Sequence, residues 1–304
     1  MVLFTLLATL FVSVMTMLLG GNGRLRNVAY HLGMWDFTST RIAEASQTHD
    51  IDILFLGSSH CYRSFDPRFY ASKGLSSFNL GSSNQTPLQS EMLMRLFLDS
   101  LNPRIVIVEV HPDVLCLDGV ESSVYLTNNM APSWPMAYMA LRTRNAKSVL
   151  TMLYSAAHNT FSTEFKNYSP PDNDSINTYV SGGYVQHCEC HYSPKVFSPM
   201  DVDFPLKQIR ALKTISRMLD KRHIPYLLVE VPDTRCYRDR YLNRNEFVDR
   251  MNALGHFRSV DIDQLDDSLH FFDAVHLNQD GVEIFQTYFF DSVLSPFMNE
   301  NMIK

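Results

Sequence analysis

The amino-acid sequence predicts an α/β fold: a three-layer α/β/α sandwich with a mostly parallel sheet. Three observations carry that expectation. Short apolar runs at 51–56, 78–80, 104–110 and 226–231 alternate with segments of helical periodicity, the pattern of strands joined by crossover helices. The longer runs lack apolar–polar alternation, as expected of strands covered on both faces. The runs are followed by Gly57, Gly81, Glu109-Val110-His111 and Pro232-Asp233. If the strands are parallel, these ends share one edge, where open α/β sheets hold their chemistry.

The elements follow in order. Met1 to Gly21 carries no charged side chain and is mostly Leu, Val, Met, Phe, Ala and Thr. About 20 apolar residues suffice to cross a bilayer. The segment is therefore expected to be an N-terminal membrane anchor, with a cleaved signal peptide or a buried core helix as the alternatives. No basic residue precedes the apolar run and no clear small-x-small cleavage site follows it. Gly20-Gly21-Asn22-Gly23 reads as a joint, and residues 22–304 as the folded domain. Arg24 and Arg26 follow the segment, which by the positive-inside rule holds the domain on the cytoplasmic side.

A short helix is expected at 37–46, the first strand at 51–56 and a second at 78–80. A helix over 87–100 places Leu88, Met92, Leu93, Leu96 and Phe97 on one face, ahead of the strand at 104–110. Residues 118–204 break the rhythm with Pro170-Pro171 and Gly182-Gly183, and read as an insertion, partly helical near 136–157. The pattern resumes with a helix near 205–221 burying Ile209, Leu212, Ile215 and Leu219, and a strand at 226–231. A helix near 243–254, a short strand near 258–262 and a final helix over 279–293 complete it.

Composition narrows the function classes. A chain of 304 residues can bury one large core or two modest ones. At 45% hydrophobic and 19% charged it is a folded protein, not a disordered one. The net charge of −6 offers no basic footprint, so nucleic acid is not an expected partner. Five cysteines, an odd number without regular spacing, suggest no disulfide framework.

Two short segments carry candidate chemistry. Gly57-Ser58-Ser59-His60 follows a buried strand and can present a serine at the sheet edge. Alone it is equally a turn in which Ser58 or Ser59 caps the next helix. Asp273-Ala274-Val275-His276-Leu277-Asn278 places an acid three residues before a base. Such a loop can fold the carboxylate onto the imidazole and fix its tautomer. Asn278 or Asp280 can cap the last helix. A serine needs a neighbouring base to become a nucleophile, so the two segments together suggest acyl transfer by Ser59, His276 and Asp273. That chemistry requires no metal and no cofactor. His187-Cys188-Glu189-Cys190-His191 has zinc-type ligands at a spacing that suits one tetrahedral ion poorly, and is expected to be a polar loop.

These segments, taken together and in this order, resemble the SGNH/GDSL hydrolase superfamily over about 50–116 and 225–293. Gly57-Ser58-Ser59 stands where that family has Gly-Asp-Ser, which makes Ser59 the nucleophile. Asn79-Leu80-Gly81 resembles the second block, whose glycine N–H joins the nucleophile's own N–H in the oxyanion hole. Asp273 through Gly281 resembles the last block, with the catalytic Asp and His. The third block departs from the pattern: Glu109-Val110-His111-Pro112-Asp113 stands where the family has Gly-x-Asn-Asp. With that Asn absent, the expected oxyanion donors are Ser59 and Gly81, with Asn84 or His111 as a third.

The Gly-Ser-Ser variant is similar to membrane-associated relatives that move acyl groups on cell-envelope polymers. The resemblance implies a serine esterase or O-acyltransferase acting on acylated carbohydrate or envelope glycopolymer. It also implies envelope-modification partners and an extracytoplasmic domain, against the orientation that Arg24 and Arg26 favour. The alternatives are a non-catalytic glycan-binding or scaffold subunit of the same fold, and a soluble cytoplasmic lipase or thioesterase.

Overall fold

The computed structural model describes residues 2–20, 28–33, 36–169, 173–188 and 192–302. Arg24, Arg26, most of the expected Gly-rich joint, and Glu189, Cys190 and His191 lie outside the described residues.

In chain order the elements begin with α1 (Val2–Gly20), α2 (Thr38–Ala45), β1 (Ile53–Leu56), α3 (Ser59–Ser64), α4 (Pro67–Ser72) and β2 (Ser77–Asn79). They continue with α5 (Pro87–Leu101), β3 (Ile105–Glu109), α6 (Pro112–Cys116), α7 (Val120–Asn128), α8 (Trp134–Arg142), α9 (Ala146–Phe161) and α10 (Thr163–Asn167). A hairpin of β4 (Asn177–Val180) and β5 (Tyr184–His187) precedes α11 (Leu206–Arg222), β6 (Tyr226–Glu230), α12 (Arg235–Arg238) and α13 (Arg244–Asn252). The chain ends with β7 (Phe257–Ser259), α14 (Gln279–Phe289), a π-helical turn at Phe290–Leu294 and α15 (Ser295–Glu300).

The main sheet is five-stranded in the order β2-β1-β3-β6-β7, and every ladder in it is parallel. β1 and β3 are buried along their whole length, which explains their uninterrupted apolar sequence. Their side chains alternate between two cores, as the period of a strand requires. Leu54, Leu56, Val106 and Val108 join the core under α5 and α11, whereas Ile53, Phe55, Ile105 and Ile107 join the core with Phe285 and Phe289 of α14. The result is an α/β/α sandwich. The strand order reverses direction at β1, flanked by β2 and β3, so the crevice beyond β1 is the place for a site.

The 118–204 segment is more ordered than its sequence suggests. Helices α7 to α9 stack outside α5, α1 lies along α9, and the β4–β5 hairpin packs on α3. The hairpin is fastened at its turn: Asn79 N donates to Gly182 O at 2.8 Å, and Arg41 Nε donates to Gly183 O at 2.9 Å. At Gly183, φ is +91° and a Cβ would stand 2.1 Å from Asn79 O, so only glycine permits this approach. Its strands escaped sequence reading because they are short, antiparallel to each other and separate from the main sheet.

The expected anchor coincides with α1, where Val2, Leu3, Phe4, Leu6, Leu7, Leu10 and Phe11 are exposed. Among the described residues, no helix is long and apolar enough to cross a membrane.

Candidate active site

The site is built at the carboxyl end of β1. A Cβ on Gly57 would lie 2.3 Å from Glu109 Oε2, so glycine lets the end of β1 pass the end of β3. The chain then enters α3. Ser58 is its N-cap, with Oγ accepting from His60 N at 3.3 Å. Ser58 also donates to Glu109 Oε2 through its backbone N at 2.6 Å and its Oγ at 2.9 Å. It is 0% exposed, so no substrate reaches its hydroxyl. Ser59, the first residue of α3, is half-buried and faces the loop before α14.

That loop brings the expected acid and base to the serine. Ser59 Oγ lies 2.8 Å from His276 Nε2, and His276 Nδ1 lies 2.8 Å from Asp273 Oδ2. The other Asp273 oxygen accepts the backbone N–H groups of Val275 (2.9 Å) and His276 (2.8 Å), which locks the Asp-x-x-His turn. Thr234, just beyond β6, holds the loop by donating N–H (3.1 Å) and Oγ–H (2.7 Å) to Ala274 O. Asn278 caps α14 by accepting from Gly281 N at 3.0 Å. With Asp273 accepting at Nδ1–H, His276 Nε2 is left as the acceptor for the Ser59 hydroxyl.

His276 sits in a column of rings. Phe272 stacks on it at 5.3 Å with 6° between planes, and His187 of the hairpin stacks on Phe272 at 3.9 Å. On the other side His60 stacks at 4.9 Å, and His111 on His60 at 3.9 Å. Burial lowers the His276 pKa to about 4; Asp273 opposes this, while the nearby His60 and Arg63 reinforce it. Burial alone would raise Asp273, but the hydrogen bond and charge of His276 hold its carboxyl well below the usual range. The imidazole is therefore a free base at neutral pH.

Beneath the column, His111 Nε2 faces Asp233 Oδ2 at 2.9 Å with both groups buried. Burial disfavours the His111 charge, but Asp233, aided by Glu109 and Asp113, pushes its pKa up to about 9. Burial works against the Asp233 charge too, and its carboxyl is nonetheless held far below the usual range by His111 and His60. This is an internal ion pair. His60 Nδ1 lies 3.0 Å from Ser58 Oγ, and its Nε2 lies 3.5 Å from Asp233.

His60, His111 and Asp233 are the group among the described residues whose donor atoms approach closely enough for a metal ion, within 4.8 Å of one another. The geometry fits an ion pair better. The two imidazoles are stacked with only 15° between planes, so their in-plane lone pairs run side by side and cannot converge on one cation.

The expected oxyanion donors, and two further residues of α3, fall as follows. Among the described residues, the Ser59 N–H has no partner and points out of the first turn of α3. Gly81 packs against the nucleophile segment, where a Cβ would meet Ser58 O at 2.9 Å. Its N–H, however, donates to Asn79 Oδ1 at 2.9 Å. Asn84 is half-buried with φ +52°, and none of the described residues hydrogen-bonds its side chain. His111 is turned to Asp233 and is not available as an oxyanion donor. Arg63 donates to Asn177 Oδ1 at 3.1 Å and lies over the Phe272 ring. Cys61 is buried in the core, where burial raises its thiol pKa well above the ordinary value.

Sequence reasoning did not single out Glu109, Asp233, Phe272 or His187 as site residues. Glu109 and Asp233 were legible as polar groups closing apolar strands. His187 reaches the column through the hairpin, which no local pattern announces.

The fold and the site together define a doubly wound α/β protein with a Ser–His–Asp constellation at the carboxyl edge of its sheet. No protein-family model matches the sequence, and no curated protein matches it. Among solved structures, it is similar to a provisionally assigned acylhydrolase from Bacteroides fragilis. The TM-score is 0.41 at 10% identity, with 87% of this chain and 99% of that chain covered.

Proposed function

We propose that this chain is a serine-dependent esterase or O-acyltransferase acting on acylated carbohydrate or cell-envelope glycopolymer. The observation that carries the reading is the unbroken relay from Ser59 Oγ through His276 to Asp273. As Ser59 Oγ attacks the ester carbonyl, His276 Nε2 takes its proton, and Asp273 stabilises the imidazolium. The negative charge on the former carbonyl oxygen is met by the Ser59 N–H, with Asn84 as a further donor, because the Gly81 N–H is engaged by Asn79. His276 returns the proton to the leaving alkoxide, leaving the acyl group on Ser59. Water or a sugar hydroxyl then attacks that acyl group, losing its proton to His276, and Ser59 is regenerated. The substrate class follows the sequence resemblance, as does an extracytoplasmic domain. The exposed apolar residues of α1 support membrane attachment.

A second reading, a non-catalytic glycan-binding or scaffold subunit, is favoured by one observation: the Gly81 N–H is already engaged by Asn79. Labelling with a fluorophosphonate separates the two, since it requires only an activated serine. The full chain and its Ser58→Ala variant should label, and Ser59→Ala should not. No labelling of the full chain supports the scaffold reading. Label that survives Ser59→Ala but is lost in Ser58→Ala moves the nucleophile by one residue.

A further inference from the structure

The net charge of −6 conceals a strongly cationic face on the side of the molecule covered by α8 and α11. α11 buries Leu212, Ile215 and Leu219, and its opposite stripe carries Lys207, Arg210, Lys213, Arg217 and Lys221. Arg210, Lys213, Arg217 and Lys221 are exposed and form no ion pair among the described residues. This stripe forms one wall of a groove with two lobes, about 670 and about 1190 Å³, that share Tyr138, Thr214 and Arg217. Asp99 is the single acid among the residues lining it, and it pairs with Arg222 at 2.8 Å. The other wall is α8, bearing three large apolar or aromatic side chains open to solvent and Arg142, which pairs with the buried Glu91.

Those side chains choose the occupant. Trp134 is 78% exposed and Leu141 56%, with Tyr138 between them, and Leu206 at the start of α11 is 70% exposed. A soluble polyanion would satisfy the cations but leave the leucines in water. An anionic bilayer satisfies both, its headgroups meeting Lys and Arg and its interface taking up Trp and Leu. α1, with its own exposed apolar residues, lies along α9, which packs against α8. The apolar helix and the cationic face thus belong to one continuous helical layer. We propose that the α8–α11 face docks on a bilayer surface rich in anionic lipid, independently of any insertion by α1.

The test is flotation of the full chain with neutral phosphatidylcholine vesicles and with vesicles containing anionic phosphatidylglycerol. A soluble polyuronate serves as competitor. Binding through α1 is a baseline common to both vesicle types, so the readout is the ratio of anionic to neutral partition. Each basic side chain near an anionic surface favours binding by roughly fivefold, so Lys213→Gln with Arg217→Gln should cut the ratio roughly twenty- to thirtyfold. Leu141→Ser with Leu206→Ser should weaken binding to anionic vesicles roughly tenfold. All four residues are exposed or line the groove, and unchanged melting temperatures show that the variants fold. A ratio near one for the unaltered chain overturns the proposal. So does binding that ignores the leucine changes and is fully displaced by the polyuronate, which would identify a polyanion groove instead.

Discussion

The depressed pKa of His276 makes a quantitative prediction about acid tolerance. His276 is enclosed by Phe272 and His60, its side chain is 15% exposed, and burial holds its pKa at about 4 against an ordinary 6.5. As the general base it must be unprotonated, so activity falls as pH drops through the folded-state value. At pH 5 a base of pKa about 4 is about 90% unprotonated, whereas one at about 6.5 would be about 3% unprotonated. The kcat/KM for a simple ester such as p-nitrophenyl acetate should therefore be nearly flat from pH 7 to pH 5 and reach half near pH 4. Replacing His60 with Gln removes the ring stacked on His276 and opens one face of the imidazole to water. The acid limb should then move toward pH 6.5. The same shift opposes folding in acid, because the unfolded chain binds a proton between about pH 6.5 and 4 that folded His276 refuses. A wild-type profile with its half-point near pH 6.5, or a limb that His60→Gln does not move, would refute this account of the ring column.

Two further outcomes follow from the same geometry. Asp273→Asn removes the carboxylate that sets the His276 tautomer while keeping the turn, and should lower kcat by roughly 10³–10⁴-fold. Fluorophosphonate labelling of this variant should be slowed but not abolished, and a fall of less than tenfold in kcat would mean that Asp273 does not orient the base. His111→Gln leaves the Asp233 carboxylate buried without its main partner and should cost about 3–5 kcal/mol in urea denaturation at pH 7. Because the folded His111 pKa is raised to about 9, its stabilisation is fully present below about pH 6.5 and is lost as pH rises through about 9. Wild-type stability should fall across that window and the variant's should not, so parallel curves would refute the ion pair.

The sequence by itself determined the layered α/β fold and the two segments that bear the nucleophile, base and acid. It could do so because buried parallel strands are uninterrupted apolar runs and because the acid and base are three residues apart on one turn. It also narrowed the caps to Asn278 or Asp280 and to Ser58 or Ser59, and the structure uses Asn278 and Ser58. The resemblance implied Ser59 as the nucleophile, but the reason that it and not Ser58 faces the base is not local. Glu109, 51 residues away, buries Ser58 and leaves Ser59 for His276. The ring column was equally illegible, since Phe272 and His276 come from one loop, His60 and His111 from two strand ends, and His187 from the hairpin. Tertiary packing likewise gathered the cations of α11 beside the exposed leucines and Trp134, although the summed charge is negative. Net charge adds over the whole chain, whereas a surface responds only to the groups that folding places together.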